Sequence, residues 1–151
     1  MEADRKGTAY VITQLLLIGV YLLTPGQRFF ENSVFLNGMA IGVFFFRMAL
    51  MSLAALQLNR NLSPFPSPKK ESKLSTSGAY KYIHHPIYTG LPLTAIAWAT
   101  IKESPIHLAV AFILMALLHF KANREETLLI EMFEDYPDYQ MKTGRLLPRL
   151  F

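Results

Sequence analysis

Cysteine is absent from all 151 residues, so neither a disulfide nor a thiolate nucleophile is available. Charge is also scarce, at 17% of residues against 52% hydrophobic. No internal repeat is present. No folded basic module stands apart from the apolar runs, so the net charge of +4 does not point to nucleic acid. The N-terminus lacks the clearly basic start and small-residue cleavage site of a secretory signal. Met1–Lys6 mixes two acids with two bases, and Thr24-Pro25-Gly26 is a poor cleavage match. The first apolar segment is therefore expected to be a retained helix.

What the chain does have is long apolar sequence. A bilayer asks for about 20 mostly apolar residues per spanning helix. Spans are expected at about 9–24, 34–58, 82–102 and 105–122, the last two extended into their flanks. Four such runs in so short a chain are hard to bury in water. The expected fold is all-α: a single domain, 1–151, forming an integral membrane bundle of about four transmembrane helices.

The basic residues sort by loop. Arg5 and Lys6 precede the first span. Arg60, Lys69, Lys70, Lys73 and Lys81 separate the second from the third, and Lys121, Arg124, Lys142, Arg145 and Arg149 follow the fourth core. The other two loops hold only Arg28 and Lys102. With four spans the basic segments fall on one side, and the positive-inside rule puts both termini and the central loop in the cytoplasm. That face would attract anionic headgroups, making the bilayer itself a partner.

The stretch 59–77 carries Pro64, Pro66 and Pro68 and is expected to be an ordered, extended loop. Ser77-Gly78 marks a turn. Helix is expected to resume near Tyr80–Tyr82 and to run through His85-Pro86 into the third span, with Pro86 near its start or at a kink. Glu103-Ser104-Pro105 reads as a tight turn between the last two spans. The fourth helix is expected to continue to about Glu134 on the apolar face of Leu128, Leu129, Met132 and Phe133. An amphipathic helix and tail, 123–151, complete the chain.

The hairpin brings polar groups to one membrane level: Tyr80, Tyr82, His84, His85 and Tyr88 from one side, Lys121, Arg124, Glu125 and Glu126 from the other. Polar groups over apolar helices make a candidate pocket facing the cytosol. Each element has a plainer reading: interfacial histidines, an interfacial tyrosine belt, a charged helix end. No metal site is assigned, because only His119 of the remaining histidines lies near the pair. Glu125 and Glu126 point about 100° apart on a helix, so one is expected to serve a ligand and the other to be paired or solvated. Arg47 lies in the middle of the second span and should face the bundle interior or water. It reads as an anchor for an anionic substrate group, as a structural pair, or as a snorkelling cation.

Taken together, Leu74-Ser75-Thr76-Ser77-Gly78-Ala79-Tyr80, His85-Pro86-Ile87-Tyr88-Thr89-Gly90, Arg124-Glu125-Glu126 with Leu128-Leu129, Phe133, Tyr136 and Tyr139, and Arg145-Leu146-Leu147-Pro148 resemble the isoprenylcysteine carboxyl methyltransferase and phospholipid methyltransferase superfamily. The preceding Arg60–Pro68 run resembles its prokaryotic and plastid-like branch. The resemblance implies a membrane enzyme using S-adenosyl-L-methionine, with a cytosol-facing pocket closed by the C-terminal region. It implies cofactor contacts from Lys73, Leu74, Ser75, Tyr80, His84, His85, Pro86, Ile87, Tyr88, Glu125 and Glu126. Lys121 falls where the isoprenylcysteine branch has a basic substrate-side residue, and Arg47 joins it as a candidate substrate anchor. The family usually has Arg where this chain has His84, a shorter donor. The acceptor would be a lipid or lipidated molecule, such as a prenylcysteine-type carboxylate or a lipid headgroup.

Such a reaction needs little acid–base machinery. A sulfonium methyl donor and a carboxylate give a neutral ester and a thioether, so opposite charges vanish and a site of low polarity helps. In-line placement is the main demand. No catalytic acid or base is singled out for that case. An amine acceptor must first lose a proton, to Glu125, Glu126 or a histidine. A non-catalytic subunit that kept the fold, or a reductase relative, are the alternatives.

Overall fold

The computed structural model describes residues 5–26, 28–29, 31–58, 63–67 and 74–145. Lys73, parts of the proline-rich loop and the Leu146-Leu147-Pro148 motif lie outside the described residues. Five α-helices are present among them: α1 (Arg5–Leu23), α2 (Val34–Leu58), α3 (Pro86–Ile101), α4 (Pro105–Met132) and α5 (Tyr136–Lys142). A short 3₁₀ turn spans Gly78–Lys81.

Three of these helices, α1, α2 and α4, are long and apolar enough to cross a membrane. Their large side chains face outward: Leu15, Leu16 and Leu23 on α1, Val34, Phe35 and Phe45 on α2, Phe112 and Ile113 on α4. A protein in water would hide such faces. The chain is an integral membrane protein. The apolar α3 packs between α2 and α4 and completes a bundle of about four, while α1 packs on α4. At 16 residues α3 is only about 24 Å long.

Small residues dominate the buried contacts, as expected where lipid removes the hydrophobic drive between helices. Ala54, Ala99, Ala111 and Ala122 are fully enclosed. Gly90 of α3 faces Met51 of α2 so closely that an added Cβ would lie 3.3 Å from the Met51 Cβ. Arg47 recurs seven residues from both Ala40 and Ala54, the two buried residues of α2, and so lies near the packed side. Its guanidinium carbon sits 5.9 Å from the Phe46 ring centroid.

The far end is closed by polar contacts. Ser104 caps α4, its hydroxyl accepting from the His107 amide, and Pro105 takes the first helical position. Asn32 donates its amide to Glu103 Oε1 at 3.1 Å and its side chain to the Thr100 carbonyl at 2.6 Å. The α1–α2 connection is thereby tied to the α3–α4 turn.

The start of the third helix differs from the sequence reading. The third helix begins at Pro86, not near Tyr82. Proline disfavours helical backbone in the residue before it, and His85 has φ −126° and ψ 59°. Residues 82–85 instead pair with the C-terminal segment: Gly144 donates to the Tyr82 carbonyl at 3.0 Å, His84 to Gly144 at 3.0 Å and His85 to Arg145 at 3.2 Å. The fourth helix runs unbroken to Met132, close to the end read from sequence, and α5 follows as a separate element.

Candidate functional site

The first turn of α3 and the last turns of α4 meet where the helical hairpin opens. The stretch from His84 to Tyr88 crosses that opening. Its backbone is held twice, by the pairing with residues 144–145 and by Thr89, which returns its amide and hydroxyl to the His85 carbonyl, each at 3.1 Å. The side chains therefore leave the chain from a fixed strand-like segment into a helix start.

A cavity of about 320 Å³ lies against them. That is near the lower bound of about 300–1,000 Å³ for small-molecule sites. Tyr80, His84, His85, Pro86, Ile87, Tyr88, Lys121 and Glu125 line it, all of them residues singled out from sequence. Gln14, Leu58, Ser63 and Pro64 complete the wall. Leu74 lines a separate polar groove with Lys81, Asp135 and Asp138, and Arg47 does not line the cavity.

The adjacent glutamates part company. Glu125 turns to the cavity and accepts a 2.6 Å hydrogen bond from the Tyr88 hydroxyl. Glu126 turns the other way and is enclosed. Its Oε1 is 3.0 Å from His85 Nε2, 3.4 Å from His84 Nε2 and 2.8 Å from Arg145 Nε. Its Oε2 accepts from the Gln140 amide at 3.1 Å. His84 Nδ1 reaches Thr143 Oγ1 at 3.0 Å. One carboxylate thus gathers the motif histidines and the C-terminal segment.

His84, His85 and Glu126 bring three ligating atoms within 4.8 Å of one another. Arg145 shares the same carboxylate oxygen, so a divalent cation would have to displace a guanidinium. The geometry is that of an ion-pair cluster.

The His85 and Tyr88 rings stack nearly parallel, at 4° with centroids 5.2 Å apart. Lys121 is 1% exposed, with its ammonium 5.2 Å from the Tyr88 centroid and 2.7 Å from Gln14 Oε1. Tyr139 donates to the Tyr80 carbonyl at 2.6 Å. Burial pushes its hydroxyl up to about 12, so it remains a donor at neutral pH. Burial also raises Tyr80 and Tyr136, and the nearby glutamates raise them further.

Sequence reasoning missed Gln14 and the assignment of Arg145 to Glu126. A lone amide inside an apolar helix was the available signal for the first. Nothing local signals the second, because the partners lie far apart in sequence.

Comparison with curated proteins gives no match. Residues 35–136 match the phospholipid methyltransferase family, a segment holding α2 to the start of α5 and most of the cavity wall. With more than half of its length covered by that match, the chain belongs to the phospholipid methyltransferase family.

Proposed function

We propose that the protein transfers a methyl group from S-adenosyl-L-methionine to a membrane-associated acceptor, a prenylcysteine-type carboxylate or a lipid headgroup, on the cytoplasmic side of its membrane. Family membership supports membrane methyltransferase activity; the cofactor, acceptor and orientation are this reading's additions. The observation that carries it is the cavity between the His85–Tyr88 turn and Glu125.

The lining suits the cofactor. Glu125 offers an oxygen not taken by Tyr88 to a hydroxyl or an amine. The Tyr80 ring offers a π face, which favours cations such as a sulfonium. When bound, S-adenosylmethionine supplies an electrophilic methyl group on that sulfonium. The apolar residues Leu58, Pro64, Pro86 and Ile87 keep part of the wall dry, which favours a step in which opposite charges vanish. For an amine acceptor, Glu125 is the proton-accepting group, since Glu126 is engaged by His85, Arg145 and Gln140. The ring of His84 meets Glu126 and Thr143 at the cavity edge, so its role is to fix the shape of the site as much as to contact a ligand.

The test is thermal unfolding of detergent-solubilised protein with S-adenosylhomocysteine. At about 100 times its dissociation constant the ligand should add about 2.7 kcal/mol of stability. Glu125→Ala and His85→Ala should each remove most of that shift. Folded wild-type protein that shows no shift at any concentration refutes the reading.

A further inference from the structure

Gln14 lies in α1, outside the matched residues 35–136. It nevertheless lines the cavity and accepts a 2.7 Å hydrogen bond from Lys121. Lys121 is buried, yet among the described residues no carboxylate lies within ion-pair distance of it. Glu125 lies one helical turn further on, but takes the Tyr88 hydroxyl at 2.6 Å instead. The ammonium's direct contacts are a neutral amide and the face of Tyr88, and Glu125 attracts it only from beyond contact distance. An ammonium has three donors, and the amide takes one. A buried charge so incompletely compensated is costly alone and favours an incoming anion.

We propose that Gln14 is a positioning residue that sets acceptor specificity. It holds the Lys121 ammonium at the cavity wall without neutralising it, leaving the charge for an anionic group, a carboxylate or phosphate, on the methyl acceptor. The inference rests on the methyl-transfer reading above. The acceptor is assigned, and not the cofactor, because the reading above already gives Glu125 and the Tyr80 ring to the cofactor and leaves the Lys121 ammonium unused. The amide identity matters as well. A glutamate at position 14 would complete the ion pair and cancel the charge, and a leucine would leave the ammonium unheld.

The experiment uses full-length protein in detergent. Methyl incorporation is followed into S-farnesylcysteine and into phosphatidylethanolamine vesicles, and S-adenosylhomocysteine affinity is measured alongside. Gln14→Glu and Gln14→Leu should each raise acceptor KM about tenfold or more with kcat little changed, the mark of lost ground-state binding. Gln14→Asn, which keeps an amide, should recover part of that loss. S-adenosylhomocysteine affinity should fall clearly less than acceptor affinity in all three, the small change being passed on through the Tyr88 ring that the ammonium faces. Unchanged acceptor KM, or cofactor affinity falling in parallel, overturns the proposal. Wild type that binds S-adenosylhomocysteine but methylates neither probe overturns the anionic-acceptor assignment. Wild type that binds none removes the methyl-transfer reading itself, so the two failures are told apart.

Discussion

Glu126→Gln should loosen the C-terminal segment while leaving the Glu125–Tyr88 side of the cavity in place. The carboxylate is the shared partner of His85, Arg145 and Gln140, and its side chain is 12% exposed. Removing one member of a fully buried pair costs about 3–5 kcal/mol. Arg145 is 29% exposed here, and water screens it in part, so the expected loss is about 2–3 kcal/mol. The loss is local. It falls on α5 and residues 143–145, whose other ties to the bundle include the pairing with residues 82–85, the Tyr139–Tyr80 and His84–Thr143 bonds and the Arg145 bonds to Asn123 and His119. At about 1.4 kcal/mol per factor of ten, the open population should rise about 30- to 150-fold. Trypsin cleavage after Lys142 in detergent reads that population when reclosing is faster than cutting. The cleavage rate should rise by the same factor in Glu126→Gln and change little in Glu125→Gln. Arg145→Gln should add little on top of Glu126→Gln, because both remove one interaction. Equal cleavage in wild type and Glu126→Gln, or an equal effect from Glu125→Gln, refutes the division of labour between the two glutamates.

Two further outcomes test the frame. A cysteine at Lys102 should react with an impermeant maleimide from outside intact cells, and one at Ser77 only after permeabilisation; labelling of both from the same side refutes the proposed orientation. Gly90→Val should destabilise the bundle by about 1–3 kcal/mol, the usual cost of overpacking, and lower its thermal midpoint, because Met51 already lies at contact distance; an unchanged midpoint would mean that α2 and α3 pack less tightly than described.

The apolar runs made the helices legible, because bilayer thickness imposes a length that composition alone reveals. The bounds of α2 are those read from sequence, and the extension of α4 beyond Phe120 followed from its apolar periodicity. The glutamate divergence was legible too, since adjacent helical positions cannot face one ligand. The start of α3 was not. The constraint that Pro86 puts on His85 was available, but the pairing that gives residues 82–85 an alternative to helix comes from residues 144 and 145. Gln14 and Lys121 are 107 positions apart, and their meeting depends on α1 packing against α4. Periodicity reports which face of a helix is buried and carries nothing about which helix covers it.

The shortness of α3 bears on the membrane around the protein. At about 24 Å it falls about 6 Å below the usual hydrocarbon thickness of about 30 Å. A bilayer meeting a helix too short for it thins locally, at a fraction of a kcal/mol per Å. The cavity sits at the N-terminal end of that same helix, so such thinning would bring headgroups toward His85 and Tyr88. The proposed lipid acceptor would then approach by sliding sideways within its own leaflet, with its tails still in hydrocarbon. The length of one helix would then spare that acceptor the work of lifting a chain out of the membrane, about 0.8 kcal/mol for each CH₂.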